Sequence, residues 1–177
     1  MLGITNSFGY KNFGLTFLID ARFGGIFYSG THLALQRNGM STQTVVNGER
    51  NPFVVDGVVE SGGNFTENQK TVTQQEYWNR VTNTGNLGIA EENIYDATNI
   101  RLRTVQLSYN LPKTILKNSL VKSARFSISG NNLWMIKSYG NGVDPESVFA
   151  ISTNAIGFEY LAFPTSRSFF FNVSLGF

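Results

Sequence analysis

The chain has 177 residues, enough for one domain, and no cysteine, which removes disulfides and thiolate metal sites. Only 15% of residues are charged and the net charge is +2, with Lys and Arg scattered, so nothing in the charge pattern calls for nucleic acid. No window approaches the roughly 18 apolar residues of a transmembrane helix, while abundant Phe (15) and Gly (18) with scarce Pro (4) suit β structure with girdles of rings and many turns.

In chain order, residues 2–10 read as a strand, with Leu2, Ile4, Phe8 and Tyr10 in one phase. Lys11-Asn12 is a tight polar turn. Residues 13–23 then alternate strictly. Phe13, Leu15, Phe17, Ile19, Ala21 and Phe23 share one face, and Gly14, Thr16, Leu18, Asp20 and Arg22 share the other. A run of this length matches the ~9–11 residues that cross a bilayer at a tilt. The N-terminus lacks the basic-then-apolar layout of a signal peptide. That leaves a soluble cytoplasmic chain or the downstream piece of a longer exported one.

Residues 24–97 break the alternation. Ser29 or Thr31 can cap a short helix through Gln36, stopped by Asn38-Gly39. Phe53-Val54-Val55 is β-like, and Ser61-Gly62-Gly63-Asn64 is a loop signal. Thr73-Gln74-Gln75-Glu76 fits a capping box, so a short helix is expected to carry Tyr77 and Trp78. A connection of this length between strands is usually a lid or a binding loop.

Alternation returns over 98–111, with Val105, Leu107, Tyr109 and Leu111 against Thr104, Gln106, Ser108 and Asn110. That phase turns Arg101 and Arg103 outward. Arginine at mid-membrane costs roughly 2–4 kcal/mol and little at the interface, so the expectation is a position at the rim. Pro112 ends the strand because it cannot donate to a ladder. Over 121–136, Ala124, Phe126, Ile128, Gly130 and Trp134 oppose Arg125, Ser127, Ser129 and Asn131. Residues 137–164 form a second long connection. Residues 165–177 form the last strand, with Phe169, Phe171, Val173, Leu175 and Phe177 on one face and mostly small or polar residues on the other.

The expected fold is therefore all-β: an antiparallel transmembrane β-barrel segment of about five strands. Short turns (11–12, 112–120) alternate with long loops (24–97, 137–164), as in outer-membrane barrels with extracellular loops. The alternative is a soluble, non-enzymatic β-sandwich that binds glycan or a protein partner through aromatic loops.

Several segments carry a resemblance: N-I-R-L-R-T-V-Q-L-S-Y-N-L-P-K (99–113), S-I-S-G-N-N-L-W (127–134), D-P-E (144–146), the final F-N-V-S-L-G-F, N-F-G-L-T-F-L-I-D-A-R-F-G-G (12–25) and V-V-D-G-V (54–58). Together and in this order they resemble the C-terminal portion of SusC/RagA-type TonB-dependent outer-membrane transporters. The resemblance implies five strands of a 22-stranded barrel whose plug domain this chain lacks. It implies import of glycans or other nutrients with a SusD-like lipoprotein, energy from the TonB complex, and residence in the outer membrane of a Gram-negative, Bacteroidetes-like bacterium. The row Phe169, Phe171, Val173, Leu175 and Phe177 resembles the signal read by the outer-membrane assembly machinery.

Phe13, Leu15, Phe17 and Ile19 are candidates for the lipid face, and Tyr10, Tyr109, Phe126 and Trp134 for aromatic girdles. In the long loop, Phe65, Tyr77, Trp78 and Tyr95 are candidate ligand-facing rings; the alternative is packing among the loops. His32, the single histidine, is expected at the surface or in a loop. Glu91, Glu92 and Asp96, and the stretch 141–146, are oxygen-rich, but neither spacing matches a calcium loop. Asn64-Phe65-Thr66 is a sequon that matters only in a eukaryotic secretory setting. Asp20, Arg22 and Arg125 are expected to form a charge network on the lumen side. No catalytic motif, cofactor fingerprint or metal motif is present, so an enzyme is not expected.

Overall fold

The computed structural model describes residues 1–83, 85, 88–117, 119–147 and 157–177. Parts of the expected connections, residues 84, 86–87, 118 and 148–156, lie outside the described residues. The chain divides into two units. One holds Met1–Ile26, Asp96–Ser147 and Phe163–Phe177; the other holds Phe27–Tyr95 and Val148–Ala162.

The first unit is one antiparallel sheet of five strands: β1 (Leu2–Tyr10), β2 (Phe13–Arg22), β3 (Asn99–Asn110), β4 (Ser123–Ser138) and β5 (Ser168–Gly176). They lie side by side in chain order, with β1 and β5 at the edges. Lys11 supplies the left-handed residue (φ 52°) of the tight β1–β2 turn. The Asn12 side chain donates to the Asn110 carbonyl at 2.7 Å, tying that turn to the end of β3. After Pro112 a single helical turn, Lys113–Leu116, leads back toward β4.

Register places like residues opposite like. Tyr10, Phe13, Tyr109, Phe126 and Val173 form one row across the sheet. Phe8, Leu15, Leu107, Ile128 and Phe171 form the next apolar row. Ile4, Ile19, Leu102 and Trp134 form another, about 13 Å beyond the Phe8 row at ~3.3 Å per residue. Between these rows the other face carries Gly9, Gly14, Ser108, Ser127 and Asn172, then Ser7, Thr16, Gln106, Ser129 and Phe170. Cross-strand hydroxyl and amide bonds stitch that polar face, Ser7 to Thr16 at 3.0 Å and Thr104 to Asn131 at 3.1 Å. Gly130 interrupts the apolar rows, and a Cβ there would lie 2.6 Å from the Leu133 side chain and 3.1 Å from the Phe169 ring. A sandwich would cover the apolar face with a second sheet. Here Phe8, Phe13, Ile128, Phe169 and Phe171 remain exposed.

One irregularity changes the facing. Leu18 pairs with Thr104, but the next residue, Ile19, pairs with Leu102. Arg103 is thus an extra residue in β3, a bulge that reverses the alternation beyond it. Ile100 and Leu102 join the apolar face, while Asn99 and Arg101 join the polar one and are buried. This corrects the outward rim placement of Arg101 and Arg103, which followed from unbroken alternation.

The second unit contains α1 (Gly30–Arg37) and α2 (Gln74–Val81). A small sheet is ordered Phe158–Glu159, Ile26–Ser29, Ile94–Asp96. An exposed hairpin pairs Val58–Ser61 with Asn64–Glu67. Ser29 caps α1 by accepting from the His32 N–H. In α2 the capping box is complete: Thr73 accepts from the Glu76 N–H, and Glu76 accepts from the Thr73 N–H. Hydrogen bonds from the backbone and hydroxyl of Thr73 hold the Glu76 carboxyl below its ordinary value.

The buried interior of this unit is strongly polar. Glu159 accepts from the Ser29 hydroxyl at 2.8 Å, from the Thr31 hydroxyl and N–H, and from the Ala162 N–H at 3.2 Å. Gln36 donates to Gln43 at 2.8 Å and accepts from Asn93 at 3.0 Å. Such a core holds together only while its donors and acceptors stay matched.

Candidate functional site

The sheet presents two chemically different faces, and each strand feeds both. Phe13, Leu15, Phe17, Ile19, Tyr109, Phe126 and Trp134 all lie on the apolar face. The Phe13 and Tyr109 rings meet at 4.6 Å, and Phe8 stacks on Phe17 at 6.1 Å. Tyr10, Tyr109 and Phe126 share the row nearest the tight turn, and Trp134 lies toward the opposite end. On edge strand β5, Phe169, Phe171, Val173 and Leu175 continue the apolar rows, and Phe177 follows it; all five are exposed.

The polar face ends in a charge cluster built by the β3 bulge. Arg101, buried, binds Asp144 through both terminal nitrogens and donates to Thr165 at 3.0 Å. Asp144 also accepts from the Thr165 hydroxyl at 2.7 Å and from the Glu146 N–H at 2.9 Å. Burial alone would push the Asp144 carboxyl up. The hydrogen bonds from Arg101, Thr165 and the Glu146 backbone outweigh it and hold this carboxyl well below the ordinary range. Arg103 bridges Asp20 at 2.7 Å and Glu146 at 2.8 Å. The Asp-Pro-Glu segment 144–146 is therefore an arginine receptor, with both carboxylates engaged in ion pairs. Asp20 joins a charge network through Arg103, a residue the uninterrupted pattern had turned the other way. Arg125 instead donates to Ser108 at 3.1 Å.

The four loop aromatics fall in different settings. Phe65 is exposed on the hairpin, beside Asn64 and Thr66. Tyr77 packs edge-on against Phe53 at 5.2 Å and Trp78 at 5.1 Å, and its burial raises the phenol. Trp78 is buried and donates its ring N–H to Gln74 at 3.1 Å. Tyr95 is half-buried against the His32 ring at 4.4 Å and Phe27 at 5.9 Å. His32 is buried on α1, 3.0 Å through Nδ1 from the Ser29 hydroxyl, and not at the surface. Its inward side of a short amphipathic helix decides this, and a lone histidine in a loop-rich stretch gives no signal of it. Asp96 accepts from the Thr98 N–H at 2.7 Å, a local turn bond. Among the described residues no group of three or more acidic, His or Cys side chains is arranged to hold a metal.

A single sheet with exposed apolar rows on one face and hydrogen-bonded polar rows on the other is the wall of an antiparallel membrane β-barrel. Comparison with known proteins narrows the class. No protein-family model matches the chain. It is 25% identical over 181 residues to TonB-dependent receptor P3 of Formosa agariphila, covering 99% of this chain and 16% of that protein. Its fold is similar to the RagAB peptide importer in the open-open state, with a TM-score of 0.64 and 14% identity over 99% of this chain and 17% of that one. For the closed-closed state the TM-score is 0.57 over 97% of this chain and 17% of that one, at 14% identity. The chain spans about one-sixth of the length of these relatives. The chain is thus similar in sequence to part of a TonB-dependent receptor and in fold to part of the RagAB peptide importer.

Proposed function

We propose that this chain forms wall and loops of a TonB-dependent outer-membrane transporter that imports glycans or other nutrients together with a SusD-like lipoprotein. The host is a Gram-negative, Bacteroidetes-like bacterium. The observation that carries this reading is the division of one sheet into an exposed apolar face and a polar face bearing Asp20, Arg101 and Arg103. In this reading the apolar rows touch lipid and the polar face lines the lumen. The 24–97 and 137–164 connections lie outside the cell, and turns 11–12 and 112–120 face the periplasm. Phe65, Tyr77, Trp78 and Tyr95 belong to the region that meets the nutrient, with Phe65 presenting an open ring. The row from Phe169 to Phe177 is handed to the assembly machinery. The TonB complex drives the cycle through the whole receptor. The role is passage, not catalysis, and no cofactor is required.

The test is fractionation of the whole receptor, with and without Phe177. The expected result is a detergent-extractable outer-membrane protein whose heat-sensitive gel mobility fails to develop without Phe177. A chain that stays soluble and monomeric without detergent overturns the reading. Uptake assays with and without the co-expressed lipoprotein then test the partner.

A further inference from the structure

The loop unit contains a cleft of about 280 Å3 between the end of α1, the start of α2 and Arg50. Its lining holds two guanidinium groups, Arg37 and Arg50, and no carboxylate. Arg50 is anchored by donating to the Gly39 carbonyl at 2.6 Å. The Arg37 side chain has no ion-pair or hydrogen-bond partner among the described residues. Gln74, only 7% exposed, accepts from Trp78 through Oε1, and its NH2 group has no acceptor among the described residues. Among the described residues, two cations line this concavity with no anion, beside an amide donor that no protein group uses, and together they form a receptor for a negative group.

The lining also selects the kind of ligand. Trp78 offers no open ring on which a saccharide could stack: it is 6% exposed with its ring N–H already used. Gln36 is engaged at both ends, but Asn38 Oδ1, the Gln74 NH2 group and the Gln75 amide are left to meet the donors and acceptors of a peptide backbone. We propose that this cleft binds the carboxylate of a short acidic peptide, with Arg37 and Arg50 as the anion clamp and Gln74 as an added donor. The inference rests on the importer reading, since it takes this unit to face the nutrient.

The experiment is calorimetric titration of the whole receptor in detergent with three probes: the tripeptide Ala-Glu-Glu, its uncharged counterpart Ala-Gln-Gln, and a galacturonate trimer. Ala-Glu-Glu is expected to bind at least about tenfold more tightly than Ala-Gln-Gln, and to weaken with rising salt. Arg37→Gln is expected to abolish that preference with an unchanged melting temperature, because the guanidinium holds nothing in the fold. Arg37→Lys is expected to keep part of it. Equal binding of the two peptides, full binding by Arg37→Gln, or a galacturonate that outcompetes Ala-Glu-Glu overturns the proposal. The titration needs no transport. A receptor that enters the membrane yet ignores Ala-Glu-Glu refutes the cleft alone, whereas one that never enters the membrane refutes the importer reading.

Discussion

The five-stranded sheet and the loop unit treat apolar residues in opposite ways. The sheet displays them: Phe8, Phe13, Leu107, Ile128 and Phe171 are exposed in continuous rows, and its buried residues include Asn99, Arg101, Ser108, Ser127 and Asp144. The loop unit hides Phe27, Leu33, Trp78 and Val81, but surrounds them with buried Ser29, His32, Gln36, Asn93 and Glu159. The sheet is stable as drawn only if hydrocarbon replaces water on one side. The loop unit covers most of its rings and pairs most of its polar interior within itself, with Asn93 Oδ1 left over among the described residues. Hydropathy averaged along the chain conceals this contrast, since each strand of the sheet alternates between its two faces.

The contrast can be broken most severely at Arg101. Replacing it with Ala leaves the buried Asp144 carboxylate without its ion pair and should cost about 3–5 kcal/mol, read as lost protection of segment 144–146 in hydrogen exchange. Next, Leu107→Arg in the middle of an apolar row should cost roughly 2–4 kcal/mol in folding into lipid bilayers. If the same change is neutral there, the apolar face does not meet hydrocarbon. A smaller effect is expected from acid. The Asp144 carboxyl lies below the ordinary range when folded, so its contribution is complete above that range and is lost as pH falls through it and below. Protease sensitivity of segment 144–146 should rise on acidification, and Asp144→Asn should remove most of that dependence. The mildest is Thr73→Ala, which deletes the α2 cap and should cost about 1 kcal/mol, seen as fraying of α2 in the loop unit with the sheet untouched.

Legibility followed the same division. The alternation of β2 and β5 could be read directly, because the side-chain period of a strand is independent of its neighbours. The cap at Thr73 was equally plain and the other was narrowed to Ser29 or Thr31, since each cap is a local bond between residues three apart. The bulge at Arg103 was not legible. It is defined by pairing with Ile19 and Trp134, and nothing in L-R-T-V announces which residue will be skipped. The facing of Arg101 and the use of Asp144 and Glu146 were lost with it. In the loop unit, composition supplied the rings but not their partners: the Trp78–Gln74 bond is local to α2, but the contact of Tyr95 with His32 depends on how the strand Ile94–Asp96 meets α1. The cleft of Arg37, Arg50 and Gln74 brings together three stretches far apart in the chain, with no motif to signal it.

The extra residue at Arg103 is what gives β3 room for a second inward arginine. Excising that single position would close the ladder: Thr104 would stay opposite Leu18, Leu102 opposite Ile19 and Arg101 opposite Asp20, and the shortened strand would read I-R-L-T-V in unbroken alternation. The bridge from Arg103 to Asp20 and Glu146 would go. One surplus codon thus adds a cation to the wet side without moving any neighbour across the sheet.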